Sequence, residues 1–236
     1  ELSVIGKRIL IIGGSSGIGL SLAAALLSEG AEVVIASRNL EKLEAAESQL
    51  KGKISSYQLD ASNEDSVIRF FAEIGKFDCL VSTIKPEHLT CNFSDSQLQD
   101  TRKAFEAKFW GQYQLVRHCL QTLSKDGCII LTSGIAANRS YKGFSGTAAM
   151  NGAIESLVCS LSVELAPIRI NAVSPGFIER FSADSERLSA INSLGSKIPL
   201  QRLGTHSEVS EAYLYLLKNK YTTGTILKID GGELCA

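Results

Sequence analysis

Short apolar runs alternate with longer amphipathic segments along this chain. The runs are Ile9–Ile12, Val33–Ala36, Cys79–Val81, Cys128–Leu131, Ile168–Val173 and Thr225–Ile229, with a weaker run at Ser56–Leu59. Most of them lack the polar alternation of a half-exposed strand. Continuous apolar runs of this length are typical of strands that are buried on both faces of a parallel sheet.

The segments between the runs repeat apolar residues every three or four positions, which predicts helices. These repeats are Leu40/Leu43/Leu50, Val67/Phe70/Phe71/Ile74, Phe105/Phe109/Tyr113/Val116/Leu120, Ile154/Leu157/Val158/Leu161/Leu165 and Val209/Ala212/Tyr213/Leu216. Strands that alternate with helices are joined by right-handed crossovers. We therefore expect an α/β fold, a Rossmann-like doubly wound sheet of about seven parallel strands with helices on both faces.

No internal repeat, low-complexity tract or linker interrupts this alternation, so we expect residues 1–236 to form one domain. One segment departs from the pattern, since prolines and glycines break the periodicity between residues 174 and 207. A long irregular segment in a compact domain is usually functional. We expect a substrate lid there.

Composition and charge narrow the possible partners. The chain has 236 residues, of which 44% are hydrophobic, and its 24 Lys and Arg against 25 Asp and Glu give a net charge of −1. This balance gives no basic footprint for nucleic acid or for a membrane surface. The longest apolar stretch, Leu20–Leu27, is far shorter than the roughly 20 residues that span a bilayer. We expect a cytoplasmic protein without a membrane partner, and the His and Cys spacings predict no metal site.

A glycine-rich turn, Gly13-Gly14-Ser15-Ser16-Gly17-Ile18-Gly19, joins the first predicted strand to the first predicted helix. Glycine lets the backbone approach a ligand closely, and the N–H groups of a helix N-terminus attract phosphate. This strand–turn–helix context is the one that nucleotide binding requires. The predicted cofactor-binding residues of the turn are Gly13, Ser15, Ser16, Gly17, Ile18 and Gly19.

Four spaced motifs resemble those of the short-chain dehydrogenase/reductase family. They are the glycine-rich turn, Leu59-Asp60, Asn171-Ala172-Val173-Ser174-Pro175-Gly176, and Thr223-Gly224 followed by Asp230-Gly231-Gly232. The likeness covers almost the whole chain. It implies a nicotinamide cofactor, with Asp60 at the adenine. It also implies that the cofactor site includes Ala61, Thr83, Pro175, Gly176 and Ile178.

The end of the second predicted strand indicates which nicotinamide cofactor is bound. An acid at this position binds the ribose 2′-hydroxyl of NAD, whereas a 2′-phosphate favours Arg without the acid. The chain has Ser37 and Arg38 there. A guanidinium fork suits a phosphate, so we expect NADP(H). The alternative is that Arg38 is only a solvated loop residue.

The resemblance also implies where the catalytic groups should lie. The family uses an Asn, a Ser, a Tyr and a Lys, and the aligned positions here are Lys108, Gly134, Thr147 and Asn151. All four differ from the family pattern. The candidate catalytic residues are therefore the polar side chains that remain, which are Lys108, Ser133, Thr147 and Asn151.

Each candidate has an alternative role. Lys108 is either a proton donor with a lowered pKa or a solvated helix lysine. Ser133 and Thr147 either act on substrate or only satisfy local backbone groups. Asn151 is expected to meet the cofactor ribose, because an amide both donates and accepts. Tyr141 is the nearest phenol in the sequence and is a further candidate acid.

Three functions remain open at this point. The first is an NADPH-dependent oxidoreductase that reduces the carbonyl of a small molecule with a degenerate and weak active site. The second is a non-catalytic NADP-binding sensor or scaffold, and the third is a non-redox enzyme in the same cleft. The resemblance also implies a homodimer or homotetramer through helices predicted at Thr101–Leu123 and Asn151–Ala166.

Overall fold

Seven strands form one parallel sheet in the order β3-β2-β1-β4-β5-β6-β7, which confirms the predicted fold class. The computed structural model describes residues 3–86, 90–180, 189 and 193–236. The strands are β1 (Arg8–Ile12), β2 (Glu32–Ser37), β3 (Ile54–Gln58), β4 (Phe77–Ser82), β5 (Leu123–Thr132), β6 (Arg169–Pro175) and β7 (Ile226–Ile229).

Helices cover both faces of this sheet. They are α1 (Gly17–Ser28), α2 (Leu40–Gln49), α3 (Glu64–Ile74), α4 (Leu98–Ala104), α5 (Gly111–Cys119), α6 (Ser145–Glu164) and α7 (His206–Lys218). A π-helical segment, Phe105–Trp110, joins α4 directly to α5. Short 3-10 turns lie at Phe93–Asp95, Ile135–Ala137 and Glu233–Cys235.

The core is divided into two layers by the sheet. Leu10 and Ile12 of β1 face a cluster completed by α3, α5 and α6. Ile9 and Ile11 face the opposite cluster, which is completed by α1, α2 and α7. Because successive side chains of a strand point to opposite faces, a strand covered on both sides must be apolar throughout. This explains the continuous apolar runs in the sequence.

The crossover direction reverses at β1, which lies between β2 and β4. Ile12 at the end of β1 pairs with Ala36 of β2 and with Ser82 of β4. In an open α/β sheet the crevice beyond the carboxyl ends at such a point holds the ligand. The glycine-rich turn and the residues that follow β2 and β4 therefore meet at one edge of the sheet.

Several boundaries differ from the predicted ones. Helix α6 begins at Ser145, six residues before its predicted start, so it includes Thr147 and Asn151. The helix predicted at 101–123 runs instead from 98 to 119, and β5 starts at Leu123. The weak run at 56–59 is β3, an edge strand with half-buried side chains. An edge strand is less completely covered, which explains its weak apolar signal.

The two ends of the predicted lid, 174–207, are tied together. Glu179 N donates to Gly204 O at 2.8 Å, and Gly204 N donates to Phe177 O at 3.1 Å. Residues 181–188 and 190–192 of this segment lie outside the described residues. In the described part of the chain, no helix is both long enough and apolar enough to cross a membrane.

Candidate active site

A cleft of about 660 Å³ opens at the carboxyl ends of the strands. It brings together most of the residues predicted for the site. Those that line it are Gly13, Ser15, Ser16, Gly17, Ile18, Gly19, Ser37, Arg38, Asp60, Ala61, Thr83, Lys108, Ser133, Thr147, Pro175, Gly176 and Ile178. Asn151 is not among the lining residues.

The glycine-rich turn packs so tightly that side chains are excluded. A Cβ on Gly19 would lie 2.3 Å from Gly13 O and 2.7 Å from Thr83 Oγ1. Thr83 Oγ1 in turn donates to the carbonyls of Ile12 and Gly13, at 3.2 Å each. Gly13 has a φ of +88°, a conformation that favours glycine. Thr83 at the end of β4 thus holds the turn in place.

The N-terminus of α1 faces the cleft, and no side chain of its N-cap or first turn caps it. Ser16 is the N-cap residue but makes no side-chain capping bond, and the first turn of α1 contains no acid. The N–H groups of this turn and the positive end of the helix dipole can therefore meet an anion. The tight turn and the uncapped helix fit the diphosphate of a dinucleotide.

Cationic side chains lie where β2 ends. Arg38 is exposed and lines the cleft, and its guanidinium forms no hydrogen bond or ion pair within the described residues. Ser15 Oγ donates to Ser37 Oγ at 2.9 Å, which places the two hydroxyls side by side. Lys42, from the first turn of α2, lines the same end of the cleft. We did not predict it as a site residue from the sequence.

Lys108 is a buried lysine in the wall of the cleft. The residue belongs to the π-helical segment and is only 5% exposed. Nζ donates to Ser133 O at 2.8 Å and to Asn151 Oδ1 at 2.7 Å. Burial lowers the pKa of Lys108 to about 7, and the negative charge of Glu155 opposes this shift. The residue is therefore not a solvated helix lysine.

Gln112, one turn beyond Lys108, fixes the helix against β5. Its side-chain amide donates to Thr132 O at 3.1 Å and accepts from Thr132 N at 2.9 Å. These two hydrogen bonds to the backbone of Thr132 hold the helix beside the end of β5. Ser133 is the next residue after that strand. π-helical segments are rare and often mark functional sites, and this one carries Lys108.

Ser133 connects Lys108 to a carboxylate. Its backbone carbonyl accepts from Lys108, while its hydroxyl donates to Glu155 Oε1 at 2.9 Å. Asn138 Nδ2 donates to the other Glu155 oxygen at 3.1 Å. The hydroxyl proton of Ser133 is thus directed at Glu155, so the structure does not aim it at a substrate carbonyl.

Asn151 lies behind the cleft wall. The residue is 2% exposed, and a Cβ on Gly134 would come within 2.8 Å of its Nδ2. Thr147, one turn earlier on α6, is half-buried and does line the cleft. The structure therefore presents Thr147 and Lys108 to a ligand, and Asn151 contacts Lys108 where we had expected it to meet the cofactor ribose.

Tyr141 is held outside the group around Lys108. Its hydroxyl donates to Glu233 Oε1 at 3.1 Å, and it does not line the cleft. Burial and the Glu233 carboxylate raise the pKa of Tyr141 above its ordinary value. Nothing in this geometry favours Tyr141 as a substitute acid.

The cleft also contains Lys85, Arg180 and His206, which we did not predict as site residues from the sequence. His206 Nε2 lies 3.5 Å from the position that a Cβ on Gly17 would take, and Nδ1 lies 3.6 Å from Glu179 Oε1. Burial and the charge of Lys85 lower the pKa of His206. The basic residues could have been found as cations after strands, but nothing local links His206 to a turn 189 residues earlier.

The described lining of the cleft is cationic. It contains five basic side chains, Arg38, Lys42, Lys85, Lys108 and Arg180, against two carboxylates, Asp60 and Glu179. Burial and the charges of Arg180 and Lys42 lower the pKa of Lys85. A positive cleft with a helix N-terminus at its base suits a ligand that carries phosphates. Among the described residues, no group of three or more His, Cys, Asp or Glu side chains could hold a metal ion.

The fold and the cleft define a dinucleotide-binding α/β protein, and comparisons with known proteins give its family. Residues 13–233 match a family model described as enoyl-(acyl carrier protein) reductase. The short-chain dehydrogenase/reductase ATR9 of Stachybotrys chlorohalonatus is 32% identical, and the match covers 98% of each chain. The 3-oxoacyl-[acyl-carrier-protein] reductase FabG of Chlamydia pneumoniae is 30% identical, again over 98% of each chain. The chain belongs to the short-chain dehydrogenase/reductase family of oxidoreductases.

Solved structures agree with this assignment. A small-chain dehydrogenase crystallised in complex with NADPH is 33% identical and superposes with a TM-score of 0.84, covering 98% of this chain and 100% of the other. The MalC reductase/Diels-Alderase of Malbranchea aurantiaca is 26% identical with a TM-score of 0.91, covering 100% of this chain and 98% of the other.

Proposed function

We propose that this chain reduces a carbonyl group of a small molecule with NADPH, and that Lys108 donates the proton. The nicotinamide, when bound, supplies the hydride. The observation that carries the proposal is the position of the Lys108 amine, which lies in the cleft wall between Ser133 O and Asn151 Oδ1.

The hydrogen bonds of Lys108 suit both of its protonation states. As an ammonium, Nζ has three protons, of which two are donated to Ser133 O and Asn151 Oδ1. The third proton is then available to a substrate oxygen in the cleft. After the transfer, the neutral amine keeps both hydrogen bonds. A pKa of about 7 also matches the operating pH of a general acid.

We expect this activity to be weak. The alignment with the family places Thr147 where its tyrosine acid stands, and an aliphatic hydroxyl is a much poorer acid than a phenol with a pKa near 10. A lost general acid lowers the rate by ~10²–10⁴, and Lys108 offsets only part of that loss. The proposed turnover therefore falls below the usual enzyme range of ~1–10³ per second.

The preference for NADPH rests on the end of β2. Ser37 and Arg38 replace the acid that would bind a ribose hydroxyl, and Lys42 adds a second cation beside them. The small-chain dehydrogenase that is similar to this chain was crystallised with NADPH, which agrees with the proposal. The cationic cleft complements the phosphates of this cofactor.

A second candidate function is a non-catalytic NADP-binding sensor or scaffold. It is favoured by one observation, that no tyrosine lines the described part of the cleft. Such a protein would bind NADPH through the same turn and the same basic residues without turning it over.

One experiment separates the two functions. The protein is mixed with NADPH and a panel of aldehydes, quinones and diketones while the nicotinamide absorbance is followed, and NADPH affinity is measured by calorimetry. Consumption of NADPH that depends on one carbonyl class supports the reductase. Tight NADPH binding without consumption across the panel contradicts it and supports the sensor.

A further inference from the structure

The Lys108 amine has two direct partners, and neither carries a charge. Ser133 contributes a backbone carbonyl and Asn151 an amide oxygen. A buried ammonium without a counter-charge is costly and tends to lose its proton. The protonated form that proton donation requires therefore needs a further source of stabilisation.

The position of Glu155 allows its negative charge to stabilise the protonated form of Lys108. It lies one turn after Asn151 on α6, so both side chains project from the same face of the helix. Its Oε1 accepts from the hydroxyl of Ser133, the residue whose carbonyl binds Lys108. Its Oε2 accepts from Asn138 on the 3-10 turn after β5. Two hydrogen bonds thus fix the Glu155 carboxylate, and Ser133 links it to the Lys108 amine.

The groups that link Lys108 to Glu155 are themselves neutral. Ser133 and Asn138 are neutral on the β5 side, and Asn151 is neutral on α6. Among the described residues, the negative charge of Glu155 opposes the effect of burial on the pKa of Lys108.

We propose that Glu155 is a positioning residue that keeps Lys108 in its protonated form through the bridge at Ser133. Glu155 does not line the cleft, and Ser133 connects it to the Lys108 amine. The link from protonation to carbonyl reduction rests on the proposed function, whereas the link from Glu155 to protonation does not.

The test measures the protonation of Lys108 directly. Protein labelled with ¹³C at lysine Cε is titrated by NMR, and the Lys108 signal is assigned by its absence in Lys108→Met. Wild type should titrate near pH 7. In Glu155→Gln, the loss of the negative charge should lower this midpoint by roughly one pH unit, as an opposite charge at short range does.

Matched variants separate charge from structure. Glu164→Gln removes the same charge from an exposed site on the same helix and should leave the midpoint unchanged. Ser133→Ala keeps both the carboxylate and the backbone carbonyl, so its shift should be smaller than that of Glu155→Gln. Glu155→Asp keeps the charge, so its Lys108 midpoint should lie within about half a pH unit of wild type. This variant also provides the test if Glu155→Gln does not fold.

Two results would overturn the inference. One is a Lys108 midpoint in Glu155→Gln equal to that of wild type, and the other is a shift in Glu155→Asp as large as that in Glu155→Gln. A separate result bears on the proposed function alone. If the NMR midpoint falls in Glu155→Gln while the pH profile of carbonyl reduction does not move with it, Lys108 is not the proton donor, and the role of Glu155 in its protonation stands.

Discussion

Burying the amine of Lys108 costs free energy, because a charge leaves water for the interior of the protein. The structure offsets this cost with two hydrogen-bond acceptors and with the nearby charge of Glu155. A buried lysine of this kind sits at a pKa where it can give up a proton at neutral pH. Lys108 therefore lines the cleft at a cost in stability, with a pKa that suits proton transfer.

Lys108→Met should abolish carbonyl reduction and leave NADPH affinity nearly unchanged, because it removes the proposed acid and keeps a side chain of similar length. In wild type, activity should fall as the pH rises through about 7, since the ammonium is the donating form. Steady-state rates across pH and calorimetric NADPH titrations measure both effects. Lys103→Met, an exposed site on the same helix, is the control. A turnover in Lys108→Met equal to wild type would exclude Lys108 as the donor.

The same lysine should make stability depend on pH. Its pKa is about 7 in the folded protein and 10.5 in the unfolded chain, so the unfolded chain binds more protons between these values. The free energy of unfolding should therefore rise with pH across this window, by up to about 1.4 kcal/mol per pH unit. Urea denaturation of wild type and Lys108→Met at several pH values measures the difference. A difference that is constant between pH 7 and 9 would contradict this account.

Arg38→Ala should weaken NADPH binding by ~1.5–3 kcal/mol and leave NADH binding nearly unchanged, because only NADPH carries the 2′-phosphate. Wild type should bind NADPH at least about tenfold more tightly than NADH. Calorimetry with both cofactors measures these values. Arg102→Ala, an exposed arginine on α4, controls for the loss of a positive charge. Equal affinities of wild type for the two cofactors would refute the preference.

At the scale of elements, the site depends on how the π-helical segment meets α6. Lys108 comes from the first element and Asn151 from the second, and their side chains are 2.7 Å apart. The resemblance implies Asn at the first position and Lys at the second in the family. The alignment that the resemblance implies therefore places the same two side-chain types in this chain with their positions exchanged.

This exchange predicts coupling between the two positions. Asn151→Lys alone would place a second buried amine beside Lys108, and an uncompensated buried charge destabilises a protein by ~3–5 kcal/mol. Adding Lys108→Asn should recover most of this loss, because one amide and one amine are then paired again. Urea denaturation of the two single variants and the double variant measures the coupling. Additive changes in the unfolding free energy would show that the two positions are independent.

The same alignment predicts which substitutions would reproduce the family's catalytic residues. A Cβ on Gly134 would lie 2.8 Å from Asn151 Nδ2, so Gly134→Ser and a change at Asn151 are tested together. The combination of Lys108→Asn, Gly134→Ser, Thr147→Tyr and Asn151→Lys should raise carbonyl reduction at least tenfold, since a phenol acid contributes ~10²–10⁴. The same set without Lys108→Asn is the control and should be poorly folded. No gain in the complete set would indicate that the native arrangement already performs the proton transfer.

At the scale of the whole molecule, the outer side of the α4–α5 helix presents exposed aromatic surface. Trp110 and Tyr113 are 45% and 41% exposed, and their rings are in contact, with centroids 5.5 Å apart. On the two helices that we expected at an interface, Phe109 and Leu161 are partly buried and pack against the core. Adjacent exposed aromatics on one helix are unusual for a surface that faces only water.

We therefore predict a homodimer or homotetramer that uses this surface in a symmetric contact. Trp110→Glu combined with Tyr113→Glu should dissociate it, because charges would be buried without partners. Light scattering at micromolar concentration measures the mass, and Tyr221→Glu, at a fully exposed tyrosine, is the control. A wild-type mass near the 25.4 kDa of one chain would contradict the prediction.

The sequence by itself determined the fold class and the cofactor turn. Apolar runs such as Val33–Ala36 are buried on both faces, and the periodic segments between them are helices. The glycines lie within seven consecutive residues of the chain, so their spacing could be recognised in the sequence, although their packing partners Thr83, Ile35 and His206 could not. These features could be predicted because strand burial and turn geometry depend on neighbouring positions in the chain.

Only the tertiary structure decided what surrounds the candidate catalytic residues. Lys108 meets Ser133 and Asn151 across 25 and 43 residues of chain, and His206 meets the turn at Gly17 across 189. Whether Lys108 would be solvated or buried, and whether Asn151 would face the cofactor or another side chain, depended on how the helix is set against β5 by Gln112. Such contacts are determined by the packing of distant elements, and no local pattern in the sequence encodes the direction of a side chain across that distance.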